Sequence, residues 1–174
     1  DSATMMNKGF EIIEAIHLFK VPASKVDVVV HPQSIVHSLV EFADHSSIAQ
    51  LGMPDMRVPI QYAISQGKRY QNNVLPLDLA SIGTLSFEPV NMSKFPCLRL
   101  AREAAEKGGT YPAVLNAAND YLVAKFLNRE IPFTSIAKGV EWALTMHDGT
   151  MSYTLEDIEH ICDWVPQMID RASL

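Results

Sequence analysis

At 174 residues, 48% apolar and 20% charged, the chain suffices for one ordinary domain or two small ones and is too apolar to be disordered. A formal net charge of −6, with Lys and Arg scattered, argues against nucleic acid and anionic membrane as partners. No apolar run approaches the roughly 18–20 residues of a membrane span, and the distant Cys97 and Cys162 read as reduced thiols of a cytosol-like compartment, each a small core residue.

In chain order, DSATMMNKGFEIIEAIHLF predicts a helix over 3–19, with Met5, Ile12, Ile16 and Phe19 at helical spacing and no proline before Pro22. KVDVVVH (25–31) is a β-branched run bounded by Ser24 and Pro32, as strands are. SIVHSLVEF (34–42) and SIAQLG (47–52) flank the turn-like ADHS and predict a hairpin, with Val36, Val40 and Phe42 in the phase that faces a core. GMPDMR (52–57) is a loop, followed by a short helix over about 57–66 that ends before Gly67. From 68 to 96 three prolines and no sustained period describe an extended connection, with a short strand at 84–88. Its Val74, Leu75, Leu77, Leu79 and Ile82 are expected against a core.

Beyond 96 the pattern turns helical. Leu98, Leu100, Ala101 and Ala104 share a side before Gly108 stops the run, and 113–128 repeats apolar residues at helical spacing. Helices are expected over 134–147, with Thr134 as N-cap after Pro132, and over 154–172, with Thr154 as N-cap and Glu156 and Asp157 in the first turn. Pro166 is expected to kink or divide the last one. The predicted class is α+β: part of a catalytic domain over 1–66 (a helix plus a hairpin or mixed sheet), an extended linker over 67–95, and an all-α four-helix bundle over 96–174. A chain opening inside such a helix, with no initiator Met, is expected to be a fragment.

The chemistry concentrates at the start. Asn7 and Glu11 are four residues apart and Lys8 and Glu11 three, so the three adjoin on one helix face. The N-terminus of a helix offers free N–H groups and a positive dipole end, which suit phosphate, and the hydroxyls of Ser2 and Thr4 are expected to add donors there. Glu11 could sit beside a hard divalent cation, yet one carboxylate is too little, since Mg²⁺ wants about six oxygens and usually takes more than one protein carboxylate. The plainer reading is a capped helix with a surface Lys8–Glu11 pair worth at most about 0.5 kcal/mol.

Four blocks now carry a resemblance: DSATMMNKG followed by Glu11, HPQSIVHS (31–38), LGMPDMRVPI (51–60) and LNAAND (115–120). In their order and spacing they resemble the 1-deoxy-D-xylulose 5-phosphate reductoisomerase family over essentially the whole chain. The resemblance implies conversion of 1-deoxy-D-xylulose 5-phosphate to 2-C-methyl-D-erythritol 4-phosphate, the committed step of non-mevalonate isoprenoid synthesis, with NADPH and Mg²⁺, Mn²⁺ or Co²⁺. It places Ser2, Asn7, Lys8 and Glu11 in the substrate site, Ser2 and Asn7 at the phosphate end, Lys8 also toward the substrate hydroxyls, and Glu11 on the metal. Lys8 and Glu11 are the residues it makes catalytic, and Pro54 and Met56 border the nicotinamide. It further implies a homodimer through the catalytic-domain sheet, in a bacterial cytoplasm or a plastid.

The chain departs from the family pattern in having no Gly-x-Gly-x-x-Gly after a strand and no upstream segment with the other two metal carboxylates. By itself it is expected to be inactive, and the alternative is a non-catalytic dimerisation or scaffold module. His31 and His37 read as structural residues of the hairpin region, and Lys25, Lys68 and Arg69 as solvated surface charges.

Overall fold

The computed structural model describes residues 1–172; the last two residues of the expected bundle, 173 and 174, lie outside the described residues. Helix α1 (Met6–Phe19) starts later than the apolar period suggests, because Ser2–Met5 forms turns and Met5 takes a left-handed φ of 59°. A 3-10 turn follows at Ala23–Lys25, then strands β1 (Val29–Val30), β2 (Val36–Glu41) and β3 (Ser47–Leu51), helices α2 (Arg57–Ile64) and α3 (Leu79–Ile82), and strand β4 (Glu88–Pro89). Four longer helices complete the order: α4 (Pro96–Lys107), α5 (Tyr111–Leu127), α6 (Phe133–Thr145) and α7 (Leu155–Arg171). The class is α+β, as the sequence predicts. No described helix is long and apolar enough to cross a membrane.

Contacts divide the chain into Asp1–Val28 together with everything from Val90 onward, and Val29–Pro89. These units cut across the expected division at 66 and 95. The cause is α1, whose buried Met6 joins the same core as the four late helices and which packs along α4.

In the first unit α5 is the central helix, packed against α4, α6 and α7. Its buried Val114, Leu115, Ala117, Ala118, Asn119 and Leu122 wrap around the axis, as a helix surrounded by neighbours requires. α7 instead buries a single stripe, Ile161, Val165 and Ile169. That stripe explains two corrections. Cys162 is exposed, one position off the stripe, while Cys97 is buried as expected. Pro166 does not divide α7, which runs through it: the carbonyl that loses its partner belongs to exposed Cys162, and Val165 beside it is fully buried. Thr154 caps α7 through a reciprocal bond pair with Asp157. Thr134 caps nothing, since Pro132 in extended backbone starts α6 one residue earlier.

Close approaches fix how the helices cross. A Cβ on Gly9 of α1 would lie 2.4 Å from Ala101 Cβ of α4, and one on Gly139 of α6 would lie 2.6 Å from a Leu122 methyl of α5. The α6–α7 connection is tied to the start of α5 through Thr110, 2% exposed, whose hydroxyl accepts the Thr150 N–H at 3.0 Å and lies 2.8 Å from His147 Nε2. With its hydroxyl proton directed at that nitrogen, Thr110 fits a neutral imidazole.

The second unit holds the expected hairpin, with Leu39 opposite Ala49 and Val40 opposite Ile48, and the pairing of β1 with β4. The expected 25–31 and 84–88 strands shrink to that two-residue pair. His31 ties the same segments: Nδ1 meets the Ser86 carbonyl at 2.7 Å and the ring stacks on Phe87 at 4.6 Å. The hairpin departs from expectation in its burial. Val40 and Phe42, expected to face a core, are 56% and 47% exposed, and Leu39 and Ile48 are open too. Leu75 and Leu79 of the connection are likewise exposed. The reason is plain: Ile35 is the only buried hydrophobic residue described between 29 and 89, so this chain offers them no core there.

Two outcomes follow from this packing. Gly9→Ala forces a methyl into Ala101 and should destabilise the first unit by about 1–3 kcal/mol in denaturant unfolding, with Ala101→Gly in the same chain restoring most of it. Burial holds the His147 imidazole below its ordinary value of 6.5. The unfolded chain therefore binds the proton first, and stability should be full above that value and fall as pH drops through it. His147→Gln should flatten that part of the pH profile.

Candidate functional site

The first turn is built around Asp1. Its carbonyl accepts the Thr4 hydroxyl at 3.0 Å and the Asn7 N–H at 3.3 Å, while the Ser2 carbonyl accepts the Met5 N–H at 3.2 Å. Thr4 Oγ1 in turn accepts the Met6 N–H at 3.2 Å. The Thr4 hydroxyl is thus spent on the backbone and only 7% exposed, so it is not the free donor that the sequence suggests. Ser2 is exposed on the same turn.

Helix α1 then sorts its residues by face. Met6, Gly9 and Ile12 are buried, and full burial of Met6 and Ile12 stabilises by roughly 1.5–3 kcal/mol each. On the outer face Asn7 Nδ2 donates to Glu11 Oε1 at 2.8 Å and Lys8 Nζ donates to Glu11 Oε2 at 2.7 Å. An amide, an ammonium and a carboxylate therefore converge within one helical turn, as the three- and four-residue spacing requires. The Lys8 and Glu11 side chains are 44% and 46% exposed, so the pair adds only a few tenths of a kcal/mol to stability. Its value lies in arrangement: each Glu11 oxygen keeps a lone pair after receiving one donor. Among the described residues no three His, Cys, Asp or Glu side chains cluster as a metal site, and Glu11 is the one carboxylate in the trio.

The structure brings Asn7, Lys8 and Glu11 together and sets Ser2 on the turn that leads into them. Pro54 and Met56 lie in the other unit, before α2, where both are exposed. Between them Asp55 grips Arg57 through its backbone N–H and guanidinium, and that guanidinium holds the Asp55 carboxyl down at about 2. His37 is exposed on the hairpin.

Besides Thr110, a second buried polar residue escapes the sequence reading. Asn119 of α5 is 0% exposed and donates through Nδ2 to Asp1 Oδ1 at 2.9 Å. The signal was present: an amide next to Ala118 in a helix whose other buried residues are apolar.

The fold and the trio together describe an α+β chain with an interlinked amide, ammonium and carboxylate on one exposed helix face. Comparison narrows this. The family model described as the DXP reductoisomerase C-terminal domain matches residues 51–168. The 1-deoxy-D-xylulose 5-phosphate reductoisomerase of Chlorobium phaeovibrioides is 54% identical over 167 residues, 96% of this chain and 44% of the relative. That of Geobacillus kaustophilus is 54% identical over 162 residues, 92% of this chain and 42% of the relative. Among solved structures, the Zymomonas mobilis reductoisomerase in complex with NADPH superposes with a TM-score of 0.91 at 44% identity, covering 97% of this chain and 45% of that one. A reductoisomerase complex with NADPH, fosmidomycin and magnesium gives 0.90 at 43% identity, covering 98% and 44%. This chain belongs to the 1-deoxy-D-xylulose 5-phosphate reductoisomerase family. It spans a little under half the length of these relatives.

Proposed function

We propose that the chain is the C-terminal part of an enzyme that isomerises 1-deoxy-D-xylulose 5-phosphate and reduces it with NADPH to 2-C-methyl-D-erythritol 4-phosphate, in the non-mevalonate isoprenoid route of a bacterial cytoplasm or a plastid. The observation that carries this reading is the convergence of Asn7 and Lys8 on the two oxygens of Glu11. Solved relatives bind NADPH, magnesium and a phosphonate, a ligand set that needs both anion donors and a hard carboxylate.

Each residue then has a task. Ser2 and Asn7 donate hydrogen bonds to the phosphate at the substrate's end. Lys8 brings a fixed positive charge to the phosphate and the sugar hydroxyls. Glu11 would hold Mg²⁺, Mn²⁺ or Co²⁺ through an oxygen oriented by its two donors, with further carboxylates from outside 1–174. When bound, such a cation polarises neighbouring substrate oxygens as a Lewis acid. Pro54 and Met56 border the nicotinamide, and the dinucleotide itself is held by sequence that this chain does not span.

Full-length protein carrying Glu11→Gln should lose at least about a thousandfold in turnover, the scale for losing a catalytic metal ligand, and the present chain alone should show none. Unchanged turnover and metal dependence in Glu11→Gln would overturn the assignment.

A second role rests on a separate observation. Leu39, Val40, Phe42 and Ile48 leave the hairpin apolar and open, as suits a sheet that continues into another copy or into the rest of the enzyme. On this reading the chain is also a dimerisation module. Sedimentation of full-length protein should give a dimer, and Val40→Lys with Ile48→Lys should shift it toward monomer.

A further inference from the structure

We infer that Asn119 is a positioning residue for the substrate's phosphate end, acting through the Asp1 carboxylate on the turn that carries Ser2; this rests on the reductoisomerase reading above. Asn119 is the one side-chain amide with no exposed surface among the described residues, and its Nδ2 donates to Asp1 Oδ1 at 2.9 Å across 118 positions of sequence. Its Oδ1 is buried and finds no partner among the described residues. A helix position that served packing alone would take Ala or Leu, and would not strand an acceptor away from water. The amide's orientation is also fixed, because turning it round would set its oxygen against a carboxylate.

What the bond holds is the turn. Asp1 is gripped through its side chain by α5, and its carbonyl gathers the Thr4 hydroxyl and the Asn7 N–H. Ser2 sits between these fixed points, with its own carbonyl bonded to the Met5 N–H. Met5 closes the turn with a left-handed φ of 59°, uncommon for an L-residue. With Asp1 tied to α5 at one end of the turn and to Thr4 and Asn7 at the other, the bundle sets where Ser2 and the N-terminal end of α1 stand. Asn119 touches no ligand itself.

The test uses the full-length enzyme with Asn119→Ala, Asp1→Ala and both together. Asp1 is exposed, so its variant removes no buried side chain and breaks the clamp from the turn's side. Each single variant should raise KM for the sugar phosphate about tenfold, the scale of one charge-assisted hydrogen bond, with KM for NADPH unchanged and the double variant no worse than either single. Amide exchange at Met5 and Asn7 should quicken in both. Unchanged sugar-phosphate KM in Asp1→Ala, strictly additive effects, or unchanged exchange would each overturn the inference. Absence of turnover in the unsubstituted enzyme would remove the reductoisomerase reading instead, while exchange still reports on the clamp.

Discussion

Everything about the polar trio depends on the seating of α1 against α4. The two axes come close because Gly9 has no side chain and Ala101 has almost none; any larger pair would push them apart. On either side of that contact Met6 and Ile12 are buried. With the inner stripe thus committed, the outer stripe has no rotational freedom, and Asn7, Lys8 and Glu11 point where the packing sends them. The hydrogen bonds among these three are exposed and individually weak. They arrange the site; the apolar stripe places it.

The same logic separates the two units. From Val90 onward, helices with buried stripes share one core that includes Met6. Between 29 and 89 the order rests on backbone pairing and short polar ties, such as Gln33 with Ser86 and Asp55 with Arg57, around Ile35. A two-stranded hairpin of this kind is marginal in water without a partner surface. Leu39, Val40 and Ile48 stand open on it.

Much of this was legible in the residues. Helical periods located α4 to α7 within a few positions, because apolar spacing reports directly on which face is buried. The ADHS turn fixed the hairpin, and Thr154 with Asp157 announced the start of α7. The spacing of Asn7, Lys8 and Glu11 foretold their convergence, since α-helical geometry leaves little choice. What stayed hidden depended on distant partners. Alternation in 36–42 could not say whether a core existed to meet it. Proline chemistry alone could not say that α7 would run on through Pro166, with Val165 and Ile169 buried to either side. Thr4 resembled a ligand donor until its two backbone bonds were drawn, and Asn119 carried no local cue to a partner 118 positions away.

The α1–α4 contact also governs how such chains can be recombined. A boundary drawn by composition near residue 95 looks like a natural joint between a working part and a supporting part. Splicing a foreign bundle there would present Gly9 and Met6 with a surface shaped for other side chains, and would discard the amide that meets Asp1. Helix and bundle are therefore a single inherited block, and grafts that respect it must carry both pieces or neither.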